Sequence, residues 1–162
     1  LIAAPPSTKK GKQWHFGMKV HIGVNAQSGL VHTLIGTAAN VHDVTQTQAL
    51  LHGDETDVFG DAGYLGVEKR EENLELPVTW HIAMRPSKRK ALPKTTAGEL
   101  MEKLEHAKAS IRAKVEHPFH VVKNLFMHRR TRYKGMAKNN AQMFSLFGLA
   151  NLLLGSPVVM QL

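Results

Sequence analysis

The sequence contains no cysteine. That excludes disulfides, thiolate-bound zinc and thiol nucleophiles, and it fits a reducing interior. Acidic residues are in short supply. Asp and Glu total 13 against 21 Lys and Arg, a formal net charge of +8 over 162 residues. Such an imbalance favours a polyanionic partner, either nucleic acid or an anionic membrane surface. The opening LIAAPPSTKKGK has no basic region followed by an apolar core, so no signal peptide is read there. It also lacks an initiator Met, and the chain is expected to be part of something longer. A membrane span needs about 20 mainly apolar residues. The charge-free stretch over 139–162 is broken by Gln142, Ser145, Gly148, Asn151, Gly155, Ser156 and Pro157. A buried terminal helix is expected there and no membrane partner. P-loop, G-x-S-x-G and dinucleotide fingerprints are absent, as are internal repeats. The length suits one domain with a real core.

What is present alternates between strand and helix patterns. FGMKVHIGV places Phe16, Met18, Val20, Ile22 and Val24 on one face, the period of a half-buried strand. NAQSG supplies turn chemistry, and LVHTLIGTA is a second strand, so a hairpin is expected. VHDVTQTQALLHG predicts a helix capped by Asp43 or Thr45 and stopped by Gly53. A short strand follows in TDVF, with a glycine-rich turn at GDAGYLG. VEKREENLEL predicts a charged helix, VTWHIAM a strand, and RPSKRKALPK a basic loop. AGELMEKLEHAKASIRAKVEH has strong helix propensity, and Pro118 just beyond it predicts a kink or break. LIAA is the candidate stub of an earlier strand. This alternation predicts one mixed sheet with helices on its faces.

Two acids draw attention. Asp61 follows the apolar strand DVF between Gly60 and Gly63. An acid at the carboxyl end of a sheet strand is placed for a ligand, although Asp also serves as a turn former in such loops. Glu116 lies between Arg112 and Lys123, and on an α-helix the three fall within about 40° of one another. A solvated Arg–Glu pair would give the same spacing. The flanking Val115, Phe119, Val122 and Phe126 are not surface-like. Glu116, His117 and His120 lie close together but lack the H-E-x-x-H order and a defined third ligand, and His42 with Asp43 is an equally weak signal. Two basic clusters are clearer: Arg85, Lys88, Arg89, Lys90 and Lys94, then Arg129, Arg130, Arg132, Lys134 and Lys138 with Tyr133 among them. Each can be a solvated charge run; two in a small domain favour a grip on a phosphate backbone.

The segments GKQWHFGMKVHIGVNAQSGLVHTLIGTAANVHD, GDAGYLGVEKR, IRAKVEHPFHVVKN and RYKGMAKN resemble the insertion-sequence-five group of bacterial DDE transposases, from about Leu1 to Gly155. The resemblance implies an RNase H-like α/β fold and metal-dependent cleavage and transfer of DNA strands. It implies two Mg²⁺ ions, with Mn²⁺ able to substitute, held by two aspartates and a glutamate. Asp61 matches the second acid and Glu116 the third. Arg112, Glu116 and Lys123 match three members of a tyrosine–arginine–glutamate–lysine signature, and Ala109 stands at the tyrosine position. The first acid is expected on a strand ahead of Leu1, so this chain alone is expected to be inactive, with its first strand and N-terminal DNA-binding region missing. Implied partners are transposon ends and target DNA, in the bacterial cytoplasm at the nucleoid, with self-association of the full-length enzyme left open. A DNA-binding remnant without catalysis and a nuclease of the same fold are the rival readings.

Overall fold

The computed structural model describes the backbone of residues 7–10 and 13–156, with side chains over 17–156. The strand stub read in LIAA, and the last residues of the terminal stretch, lie outside the described residues. Strands β1 (Ser7–Lys10) and β2 (Gln13–Phe16) form a small antiparallel pair. Strands β3 (Met18–Val24) and β4 (Val31–Ala38) form the expected hairpin. Its turn is held by Asn25 Oδ1, which accepts from the backbone N–H groups of Gln27 and Ser28, both at 2.9 Å. Strands β5 (Asp57–Gly60) and β6 (Thr79–Ile82) pair in parallel.

The alternation read in the hairpin sets its buried face. Met18, Val20, Ile22, Val31 and Leu34 pack with Val121, Val122, Met143, Phe147 and Ala150 in one core. Phe119 meets Phe147 edge to face at 5.4 Å between ring centroids, a geometry worth about 0.5–1.5 kcal/mol beyond burial. The charge-free stretch is helix α4 (Met136–Leu154), docked on β4. Asn151 clamps the strand: its Oδ1 accepts from Val31 N–H at 2.9 Å and its Nδ2 donates to Val31 C=O at 2.7 Å. Among the described residues no helix is long and apolar enough to cross a membrane.

Helix α3 (Thr96–His120) ties the hairpin to the parallel pair. Thr95 caps it, accepting from Gly98 N–H at 3.3 Å. Near its start, buried Glu105 accepts from Met84 N–H at 2.8 Å and from Lys108 at 2.9 Å, and Lys108 also donates to Ile82 C=O. Near its end, Lys114 donates to the carbonyls of Ala26 and Gln27 in the hairpin turn.

Several expectations are corrected. The strands do not join in one mixed sheet; among the described residues they form three separate pairs. The helix expected over 41–53 is a 3-10 turn (Asp43–Gln46) running into a single α-helical turn, α1 (Thr47–Leu50), with His42 at the cap position. Thr45 and Thr47 hydroxyls each donate to the carbonyl three residues back, at 2.7 and 2.8 Å. Such local bonds compete with regular helix. VEKREENLEL is likewise two 3-10 turns, Val67–Lys69 and Glu71–Asn73, because the buried Asn73 amide turns back to Val67 C=O. The basic loop contains a short helix, α2 (Pro86–Lys90), started by proline at its first position. Pro118 does not break α3. The helix continues to His120 and passes into one π-helical turn, Val121–Leu125, where Phe126 N–H donates to Val121 C=O.

Candidate active site

The antiparallel hairpin and the parallel pair do not hydrogen-bond to each other. A cavity of about 730 Å³ lies between them, lined by β3, β5, β6 and one face of α3. Asp61 reaches it from the end of β5. Its extended backbone leads into a tight turn, and its Oδ1 accepts from Gly63 N–H at 2.7 Å. A Cβ at position 63 would lie 2.9 Å from that oxygen, so glycine gives the carboxylate room to fold back. Oδ2 makes no hydrogen bond among the described residues and remains available.

Glu116 reaches the same cavity from α3, with Arg112 one turn earlier beside it. Glu116 is exposed and makes no ion pair among the described residues. The solvated Arg112–Glu116 pair is therefore not formed. Lys123 is not brought to this wall. It lines a shallower depression with Glu116, His117 and His120, and its ammonium sits 5.0 Å from the Phe119 ring centroid. The α-helical spacing that put Lys123 on one face with Arg112 ends at the π turn.

The basic clusters differ in availability. Arg89 is engaged: its Nε lies 3.0 Å from both carboxylate oxygens of Glu102. Arg85, Lys88 and Lys90 are exposed around it on and beside α2. Arg129 donates to Lys123 C=O at 3.2 Å and to Asn124 Oδ1 at 3.1 Å. Arg130, Arg132 and Lys134 extend into solvent from the loop before α4. Asn139 ties that loop down, donating to the carbonyls of Tyr133 and Gly135, both at 2.7 Å.

Other residues of the cavity had weak or no sequence signals. Asp43, weighed in sequence as a helix cap and as a weak signal beside His42, lines the cavity and pairs with Lys19 at 3.1 Å. Buried His21 shares a 2.8 Å hydrogen bond with Thr37; burial lowers its pKa, Asp43 opposes that and Lys19 adds to it. Tyr64 also lines the cavity. Burial, with Asp43 and Asp61 nearby, pushes its phenol up to about 12, so it stays a neutral donor. His32, His52 and Glu55 gather in the same lining with no sequence pattern to announce them. No solved structure matches the chain. A family model described as the transposase DDE domain matches residues 2–152.

Proposed function

The chain belongs to the transposase DDE domain family, and on that premise we propose that it is the catalytic domain of a bacterial insertion-sequence transposase of the insertion-sequence-five group. Its fold is then RNase H-like, its substrates transposon ends and target DNA, and its setting the cytoplasm and nucleoid. The observation that carries this reading is that Asp61 and Glu116, distant in sequence, line one cavity.

Their chemistry fits divalent ions of the Mg²⁺ class. Both are exposed, hard oxygen donors, and Asp61 keeps one oxygen free while Gly63 N–H fixes the other. When bound, such ions activate the attacking water or 3′-hydroxyl and neutralise the leaving oxygen of a phosphoryl transfer. Asp61, at the end of β5, and Glu116, on α3, would hold them. Arg112, on the same wall, orients a non-bridging phosphate oxygen by charge-assisted hydrogen bonds. The exposed cations around Arg130 and beside α2 hold the phosphate backbone without reading bases. Lys123 contributes there as a cation near Glu116 rather than on the main wall.

The test is Mg²⁺-dependent cleavage of duplex carrying the transposon ends, by the full-length enzyme. Asp61→Asn and Glu116→Gln are each expected to abolish cleavage while leaving duplex binding intact. Wild-type-like cleavage by either variant removes the site assignment.

A further inference from the structure

A β-bulge puts a second chemistry beside the acidic wall. In the hairpin, Gly23 pairs with Thr33 and Val24 with Val31, so His32 is the extra residue. Bulges re-aim side chains. Here the imidazole lies across Gly23, where a Cβ would sit 2.5 Å from His32 Cε1. It meets the ring of His52 edge to face at 4.7 Å. His52 and Glu55 come from the loop between α1 and β5.

The three side chains are oriented as ligands are. His32 Nδ1 shares a 2.9 Å hydrogen bond with Thr33 Oγ1, which leaves Nε2 free. Glu55 is fixed by the backbone N–H groups of His52 and Gly53, each 2.8 Å from one of its oxygens. His52 Nε2 lies 3.4 Å from Glu55 Oε1. That is about the ligand-to-ligand edge of a tetrahedron built on bonds of roughly 2.1 Å, the zinc value. His52 Nδ1 faces Asp54, whose backbone N–H lies 3.4 Å from it and whose Oδ2 lies 3.8 Å away. One ligand atom from each of the three residues lies within 4.8 Å of the other two. Closing the longest such separation to the tetrahedral edge needs at most about 1.4 Å of side-chain movement. His32 and His52 are exposed, so an ion has access.

The geometry points to a site for one zinc-class divalent ion at His32, His52 and Glu55, distinct from the Asp61–Glu116 pair. Two imidazoles and one carboxylate suit Zn²⁺, Co²⁺ or Ni²⁺, whereas Mg²⁺ prefers oxygen alone. Three protein ligands leave a fourth position for water. An ion there would join the bulge in β4 to the loop that leads into β5, the strand that ends at Asp61. The inference does not depend on the transposase reading.

The probe is Co²⁺ alone, titrated into the full chain in excess Mg²⁺, with d–d absorption and bound-metal stoichiometry as readouts. One Co²⁺ per chain is expected, unchanged in the Asp61→Asn/Glu116→Gln double variant. His32→Gln and His52→Gln should each weaken it by about 100-fold or more, with unaltered circular dichroism. His52→Cys guards against misfolding: it should still bind Co²⁺ and gain a thiolate-to-cobalt charge-transfer band. Binding that survives both Gln variants, or vanishes in the double acid variant, overturns the site. So does a wild type without stoichiometric binding, or Co²⁺ bound by the Cys variant without that band.

Discussion

Glu105 and Lys108 join α3 to β6, and cutting that link has a calculable cost. Glu105 is 5% exposed and the Lys108 side chain 15%. Burial pushes the Glu105 carboxyl up, but Lys108 and the Met84 N–H outweigh it and hold the pKa below the ordinary 4.5. The carboxylate therefore contributes stability in full above about pH 4.5 and loses it as the pH falls through the lower folded value. In Lys108→Met the balance reverses: the buried acid keeps one N–H donor and loses its cation. Stranding a buried charge costs about 3–5 kcal/mol. The acid can escape by taking a proton, which at pH 7 costs about 3.4 kcal/mol from a pKa of 4.5, at 1.36 kcal/mol per unit. That route caps this electrostatic loss near 3.4 kcal/mol at pH 7 and near about 0.7 kcal/mol at pH 5. Urea unfolding of wild type and variant at both pH values measures the difference, with unchanged m-values required. A deficit equal at pH 5 and pH 7 would refute the reasoning, because it would mean lost packing rather than a stranded charge. The double variant Glu105→Leu/Lys108→Met should recover at least about 1 kcal/mol relative to the sum of the singles.

Duplex binding should weaken with salt, and Arg129, Arg130 and Arg132 changed together to Ala should flatten the log–log slope by up to about three units. Arg89→Ala should change it less than Arg130→Ala, because Glu102 already occupies the Arg89 guanidinium; an equal effect in fluorescence titrations would show that this pair opens on DNA. His21 and His128 both have pKa values lowered by burial, so stability should be full above about pH 6.5 and fall as they are forced to charge on acidification. His21→Gln should shrink that slope in urea midpoints measured between about pH 7 and pH 5, and an unchanged slope would remove His21 from the account. Gly98→Ala should destabilise by about 1–3 kcal/mol, since its Cβ would fall 1.9 Å from the Pro93 carbonyl oxygen; thermal unfolding gives the check.

Much of this molecule is written in local pattern. The alternation from Met18 to Val24, the helix propensity of the stretch that became α3 and the uncharged run that became α4 each specify an element; only the alternation also marks a buried face, since Leu100, Met101 and Leu104 of α3 and Phe144, Leu149 and Leu152 of α4 are exposed. A repeat of two or of 3.6 residues needs nothing from the rest of the chain to be legible. Asp61 and Glu116 stood out for the same kind of reason, one between glycines after an apolar strand, the other a lone acid among bases and apolar residues. Where side chains take over backbone partners, local pattern misleads. Thr45, Thr47 and Asn73 capture nearby carbonyls and leave 3-10 turns where helices were expected. The tertiary structure decided the rest. The irregularity expected at Pro118 appears instead as a π turn at Val121–Leu125, and past that turn Lys123 lies apart from Arg112, in a separate depression beside Glu116. Packing kept the hairpin and the parallel pair apart, with the cavity between them. It also brought His32 to His52 and Glu55 through a one-residue bulge. Such meetings depend on which faces pack and where a ladder slips by one residue, and nothing in the local spacing of those residues carries that information.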